Sequence, residues 1–213
     1  RPTESRGTMK VIAITQTKGG CGKSTLAMSL ASAGVAKGYK VHVFDGDVNQ
    51  QILSWQRRVE EVDWDGVDKI AWPNNLSVES IPDDINEYLS YLDRLESTGT
   101  DLAIIDTRPG TGRDTENLVL SSDLTLIPAK PGQAEWELVF ETLKWMSDLK
   151  SAVAEGEPFP SIRTVLVDVS KRIMDAASTA GGIDGLPKHD ASVLKELLKT
   201  PHYGVMLPSS RYF

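Results

Sequence analysis

Lys18-Gly19-Gly20-Cys21-Gly22-Lys23-Ser24-Thr25 constrains what this chain can fold into more than any other stretch. It follows a short β-rich apolar run at residues 11–15 (VIAIT) and precedes a helical pattern in which Leu26, Ala27, Leu30, Ala31 and Gly34 recur every three and four residues, with Gly38 placed to end the helix. Strand, glycine-rich loop, helix is the context a phosphate-binding loop requires. Glycines let the backbone curl so that successive N–H groups point into one concavity, and the helix N-terminus adds its positive dipole there. In such a loop Gly19, Gly20, Cys21 and Gly22 supply the cradle and Lys23 a charge for the β and γ phosphates. Ser24 supplies a hydroxyl for Mg²⁺, and Thr25 with the first helical amides holds the α phosphate. The ordinary pattern G-x-x-x-x-G-K-[ST] would put its first glycine where this chain has Thr17, and a second lysine, Lys18, stands before the glycine pair instead. A dinucleotide fingerprint fails because Thr25 occupies the place of its third glycine.

The rest of the chain repeats the alternation. Residues 40–44 (KVHVF) run as a strand into Asp45, and a helix is expected over 50–62. Residues 69–72 read as a short strand, 73–79 as a loop, and 83–97 as a helix carrying Ile85, Leu89, Leu92 and Leu95. Residues 101–106 (DLAIID) form a buried-looking strand; a loop at 108–112, a short helix at 115–121 and a strand at 124–128 follow. The longest helix is expected over 133–154, with Trp136, Phe140, Leu143 and Met146 on one face. A strand at 162–169, a helix at 190–199 and a last short strand at 205–207 complete the pattern. Near-continuous apolar strands alternating with helices predict an α/β fold, a mostly parallel sheet with helices on both faces.

Length and composition set limits. At 213 residues, 40% hydrophobic and 25% charged, the chain suits one soluble domain over residues 9–213; the polar, unpatterned residues 1–8 read as a tag or disordered leader, and the sequence stops soon after a strand, as if cut short. Twenty-three Lys and Arg against thirty Asp and Glu give a net charge of −7, so contact with DNA or an anionic membrane requires a local basic patch. Single Cys21 rules out an intrachain disulfide, and with three scattered His it makes no zinc spacing. No apolar run reaches the roughly 18 to 20 residues of a membrane span. A cytoplasmic setting without integral membrane association is the expectation.

Residues 18–25 resemble the deviant Walker A motif K-G-G-x-G-K-[ST] of the ParA/MinD superfamily of P-loop ATPases. Asp45-Gly46-Asp47 resembles that superfamily's D-x-D switch, and residues 101–110 (DLAIIDTRPG) its Walker B strand and second switch. The resemblance is good from Met9 to about Pro131. It implies a P-loop NTPase three-layer sandwich that takes ATP and Mg²⁺. It further implies that Lys18 reaches the partner's phosphates across a nucleotide-sandwich homodimer, that Asp47 positions the attacking water, that Asp45 supports Mg²⁺ and the switch, and that Asp106 holds Mg²⁺. Where relatives read D-x-D-P-Q, this chain has Val48 and Asn49 before Gln50, and Arg108 stands where most carry proline. The D-T-R turn and Ser54-Trp55 resemble the ParA-like branch linked to conjugative and T-DNA transfer; Arg108 reads equally as a surface arginine.

Asp168 sits where many relatives place an Asn that reads adenine. An ionised Asp accepts but does not donate, so the base contact would draw on backbone near Pro208, and a strand-end Asp capping a turn has the same appearance. Of the basic positions Arg57, Arg58, Lys171, Arg172, Lys188, Lys195, Lys199 and Arg211, the resemblance points to Lys195, Lys199 and Arg211 for DNA. The function implied is a slow, partner-stimulated ATPase that dimerises with ATP, binds DNA non-specifically on the nucleoid and positions DNA or a macromolecular cargo, with a ParB-like or transfer-complex adaptor as partner. Three alternatives share the loop: a MinD-like membrane-surface ATPase, a metabolic ligase of the dethiobiotin synthetase type, and a scaffold with little turnover. A nitrogenase-iron-protein relative would need paired cysteines.

Overall fold

The computed structural model describes residues 9–61, 71–178 and 203–208, together with 186, 188, 191, 192 and 195. In chain order the elements are β1 (Lys10–Ile14), α1 (Lys23–Ala36), β2 (Val41–Asp45), α2 (Gln51–Glu61), β3 (Leu76–Ser80), α3 (Ile85–Ser97), β4 (Leu102–Asp106), α4 (Arg113–Leu120), β5 (Leu124–Ala129), α5 (Gln133–Ala152), β6 (Ser161–Val169), α6 (Lys171–Ser178) and β7 (Tyr203–Pro208). The strands form one seven-stranded sheet, ordered β3-β2-β4-β1-β5-β6-β7, and each neighbouring pair is parallel.

Successive strand residues face opposite sides of the sheet, which explains why the central strands are apolar throughout. Ile104 packs with Leu26, Ala27, Ala31, Val43 and Ile52 on the α1 and α2 side. Its neighbours Ala103 and Ile105 pack with Phe44, Tyr88, Leu92, Val119, Val139 and Met146 on the other. Both faces are covered, and the predicted three-layer architecture is what forms.

Sheet order also positions the functional loops. The chain runs outward from central β1 through β2 to β3, returns to β4 beside β1, and then builds β5, β6 and β7 on the other side. Such a reversal opens a crevice at the carboxyl ends of the strands. Register brings the three loops level, because Asp106 pairs with Ile14 on one side and with Asp45 on the other.

Several expectations change. One edge strand is β3, which begins within the stretch 73–79 read as a loop and runs on to Ser80, whereas 71–72 carry no strand and 69–70 lie outside the described residues. The reason is period two: Leu76 and Val78 turn inward while Ser77 and Glu79 face solvent, a pattern weaker in bulk hydrophobicity than the run before it. Helix α6 was not anticipated; its signal is Ser170, whose hydroxyl accepts from the Ile173 N–H at 3.4 Å. On α5 the inward stripe runs through Trp136, Val139 and Met146, and Phe140 is 49% exposed, so it leaves the predicted face. Of the helix expected over 190–199, residues 191, 192 and 195 are helical and the others lie outside the described residues.

Candidate functional site

Between β1 and α1 the backbone takes left-handed conformations at Gly20 (φ 78°) and Gly22 (φ 96°), and a Cβ at Gly22 would also sit 3.2 Å from Val167 of β6. Only glycine meets both demands. Curling brings the Lys18 carbonyl over the loop, where it accepts from the Cys21 thiol and the Lys23 ammonium, each at 3.5 Å. Gly22 is the N-cap of α1 and brings no side-chain cap, so the first amides of the helix present their positive end with no side-chain acceptor supplied by that residue. The two lysines part company: Lys23 is buried, Lys18 exposed. Ser24 is half-buried and Thr25 exposed. Cys21 is packed inside, and burial raises its thiol above the ordinary value against the opposing charge of Lys23.

Asp106 ends β4 at 1% exposure; among the described residues no hydrogen bond of ordinary geometry reaches either carboxylate oxygen, although the Ser24 hydroxyl lies close enough to act on the group. Burial pushes its pKa up to about 6; the Ser24 hydroxyl and the Lys23 charge pull it down, and Asp45 and Asp47 push it up further. A buried carboxylate with unspent oxygens beside a serine hydroxyl suits a hard, oxygen-seeking cation. Among the described residues no group of three or more His, Cys, Asp or Glu could hold a metal. Mg²⁺ asks for no such cage, since it is ordinarily held by one or two carboxylates together with substrate phosphates and water.

Asp45 is spent differently. Its Oδ2 accepts from the amides of Ile52 (2.9 Å) and Leu53 (3.1 Å) in the first turn of α2, and its Oδ1 accepts from the Asp47 amide at 3.1 Å. These bonds tie the first switch to the start of α2. Asp47 is half-buried, and its Oδ1 accepts from the Asn49 amide at 2.8 Å, a tight turn followed by Gln50 at φ 48°. Between them Gly46 passes close to the other switch: its N–H donates to the Asp106 carbonyl at 2.9 Å, and a Cβ there would stand 2.5 Å from that oxygen. Arg108 donates from Nε to the Gly46 carbonyl at 3.1 Å.

Sequence reasoning missed Gln16. Buried at the exit of β1, its Oε1 accepts from the Thr17 amide at 2.8 Å and from the Thr142 hydroxyl of α5, its Nε2 donates to the Pro128 carbonyl at 3.3 Å, and its own carbonyl accepts from the Gly110 amide at 3.4 Å. The side-chain amide thus ties the loop to α5 and β5, and the backbone carbonyl ties it to the second switch. The signal was a polar side chain able to donate and accept, directly after an apolar strand.

Asp168 lies in β6 at φ 58°, exposed, at a register irregularity opposite β7, whose Pro208 pairs with Val169. Lys195 is helical and exposed, while Lys199 and Arg211 lie outside the described residues.

A seven-stranded parallel sheet with a two-lysine phosphate loop, paired switches and a buried strand-end carboxylate defines a P-loop NTPase of the ParA/MinD type. The family model for VirC1 protein matches residues 9–193, and the chain belongs to the VirC1 family. VirC1 of Rhizobium radiobacter is 26% identical over 141 residues, covering 66% of this chain and 58% of that protein. ParA of the same organism is 25% identical over 147 residues, covering 68% and 60%. The chain thus spans less than two thirds of the length of these relatives. A plasmid partition protein from Borrelia burgdorferi bound to AMPPNP superposes with a TM-score of 0.65 at 20% identity, covering 97% of this chain and 89% of that one, a likeness of fold. Among the described residues no helix is long and apolar enough to cross a membrane.

Proposed function

We propose that this chain is a Mg²⁺-dependent ATPase that forms an ATP-sandwich homodimer, binds DNA without sequence preference in that state, and positions DNA or a macromolecular cargo, T-DNA or conjugative DNA above all. The observation that carries the reading is the buried Asp106 carboxylate, which no hydrogen bond of ordinary geometry reaches among the described residues, at the end of the strand beside the phosphate loop. The Borrelia protein bound to AMPPNP adds support for an adenine nucleotide.

Each residue has a part in this account. Gly19 to Gly22 and the amides opening α1 cradle the phosphates, Lys23 neutralises them from inside the loop, and Thr25 contacts the α phosphate. Ser24 and Asp106, with Asp45 in support, would hold Mg²⁺, which would supply charge neutralisation for the phosphates. Asp47 orients the attacking water by accepting its hydrogen bond. Lys18, exposed at the loop's outer side, supplies a cation to the partner's phosphates when two subunits close, and a residue of that kind is worth about 10³ or more in rate. Asp168 and backbone near Pro208 face the base. Lys195, Lys199 and Arg211 meet DNA, and a ParB-like or transfer-complex adaptor stimulates turnover; the protein acts in the cytoplasm at the nucleoid.

Binding of full-length protein to arbitrary duplex DNA, measured across a salt series with Mg-ATP and with Mg-ADP, tests it. The account expects binding with ATP only, indifferent to sequence and weakening steeply with salt. ATP turnover without DNA binding in either state would move the assignment to a membrane-surface or metabolic relative.

A further inference from the structure

Three features connect the two switches: the Gly46 N–H on the Asp106 carbonyl, the close approach that leaves no room for a Cβ at position 46, and the Arg108 side chain. The first two are backbone. The second switch is itself tied to β1 and the phosphate loop by the Thr107 hydroxyl and amide on the Ile14 carbonyl and by the Gly110 amide on the Gln16 carbonyl. The first switch is tied to α2 through Asp45. Arg108 is therefore a side chain bridging two separately anchored loops. Its bond is made by Nε, midway along the side chain, while the outer guanidinium nitrogen reaches only to 4.0 Å from the fully exposed Asp83, a contact worth little in water.

We infer that Arg108 is a positioning residue: through its Nε bond to the Gly46 carbonyl it fixes the switch that carries Asp47 against the end of β4, and so sets the rate of the chemical step without taking part in nucleotide binding. The inference rests on the ATPase reading for its kinetic consequence and on the hydrogen bond alone for its structural one. What acts is a donor at the ε position, with the charge incidental. The atoms of glutamine place Nε2 as many bonds from Cβ as Nε of arginine, whereas lysine keeps the charge but has a methylene there.

The test compares Arg108→Ala, Arg108→Lys and Arg108→Gln in the full chain, by hydrogen exchange of the segment 46–51 without nucleotide and by steady-state ATP hydrolysis with fluorescent-nucleotide binding. Alanine and lysine should each speed exchange of that segment and lower kcat by about tenfold, the scale of one lost hydrogen bond, with KM and nucleotide affinity within about twofold. Glutamine should restore both readouts toward wild type. Lysine behaving as wild type while glutamine fails would overturn the inference, assigning the role to charge; so would unchanged exchange in all three. Absence of hydrolysis in the wild type would defeat the ATPase reading, yet the exchange pattern would still decide the clamp.

Discussion

Asp106 and Gly46 are neighbours in space with opposite kinds of constraint. Burial costs the ionised Asp106: its raised pKa means that the folded state keeps a proton longer than the unfolded one, so stability is lost as pH rises from about 4 through about 6. Asp106→Asn removes that charge, and at pH 7.5 without nucleotide or Mg²⁺ it should raise stability by about 1 to 2 kcal/mol, seen as a higher Tm, while abolishing hydrolysis. An unchanged or lower Tm would mean that the carboxylate is not paying for its burial. Gly46→Ala places a methyl 2.5 Å from a backbone oxygen that cannot swing away. It should cost about 1 to 3 kcal/mol in urea unfolding and depress turnover, because the switches must separate to admit it. Neither constraint is visible in a one-letter code. The phosphate loop was legible because strand, glycine-rich turn and helix follow one another at fixed spacing, whereas the carboxylates at 45, 47 and 106 were singled out only by resemblance. The bond from Arg108 and the hub at Gln16 were not legible, since each depends on loops brought together only by strand register.

At the scale of elements, apolar runs of strand length and three-and-four periodicity gave nearly the whole order of strands and helices. The failures share a cause. β3 and α6 are amphipathic edge pieces whose burial comes from neighbours, and a run such as residues 69–72 looks more strand-like in isolation. β3 is pinned by a buried residue of β2: His42 Nδ1 meets the Ser77 hydroxyl at 2.7 Å, its ring packs against Phe44 and Tyr91, and its buried Nε2 has no partner among the described residues. Burial lowers its pKa to about 4 from 6.5. The unfolded chain therefore takes up this proton first, and stability should fall as pH drops from about 6.5 to about 4, by up to about 3 kcal/mol. Urea midpoints measured through that range should fall in the wild type and flatten in His42→Val; parallel curves would show that the histidine is not the group responsible.

Across the molecule, the parallel order with β1 between β4 and β5 gathers every candidate residue of the first two thirds of the chain at one sheet edge, and the acidic charge of −7 leaves DNA contact to local patches. The mechanism proposed for the loop divides labour between its buried Lys23 and its exposed Lys18. ATP binding and hydrolysis by wild type, Lys18→Ala and Lys23→Ala, each with Mg²⁺, measure it directly. Wild type should turn over ATP, Lys18→Ala should bind nucleotide as tightly yet fail to hydrolyse it, and Lys23→Ala should lose binding itself. Hydrolysis by Lys18→Ala at the wild-type rate, or a wild type saturated with Mg-ATP that hydrolyses none, would contradict it.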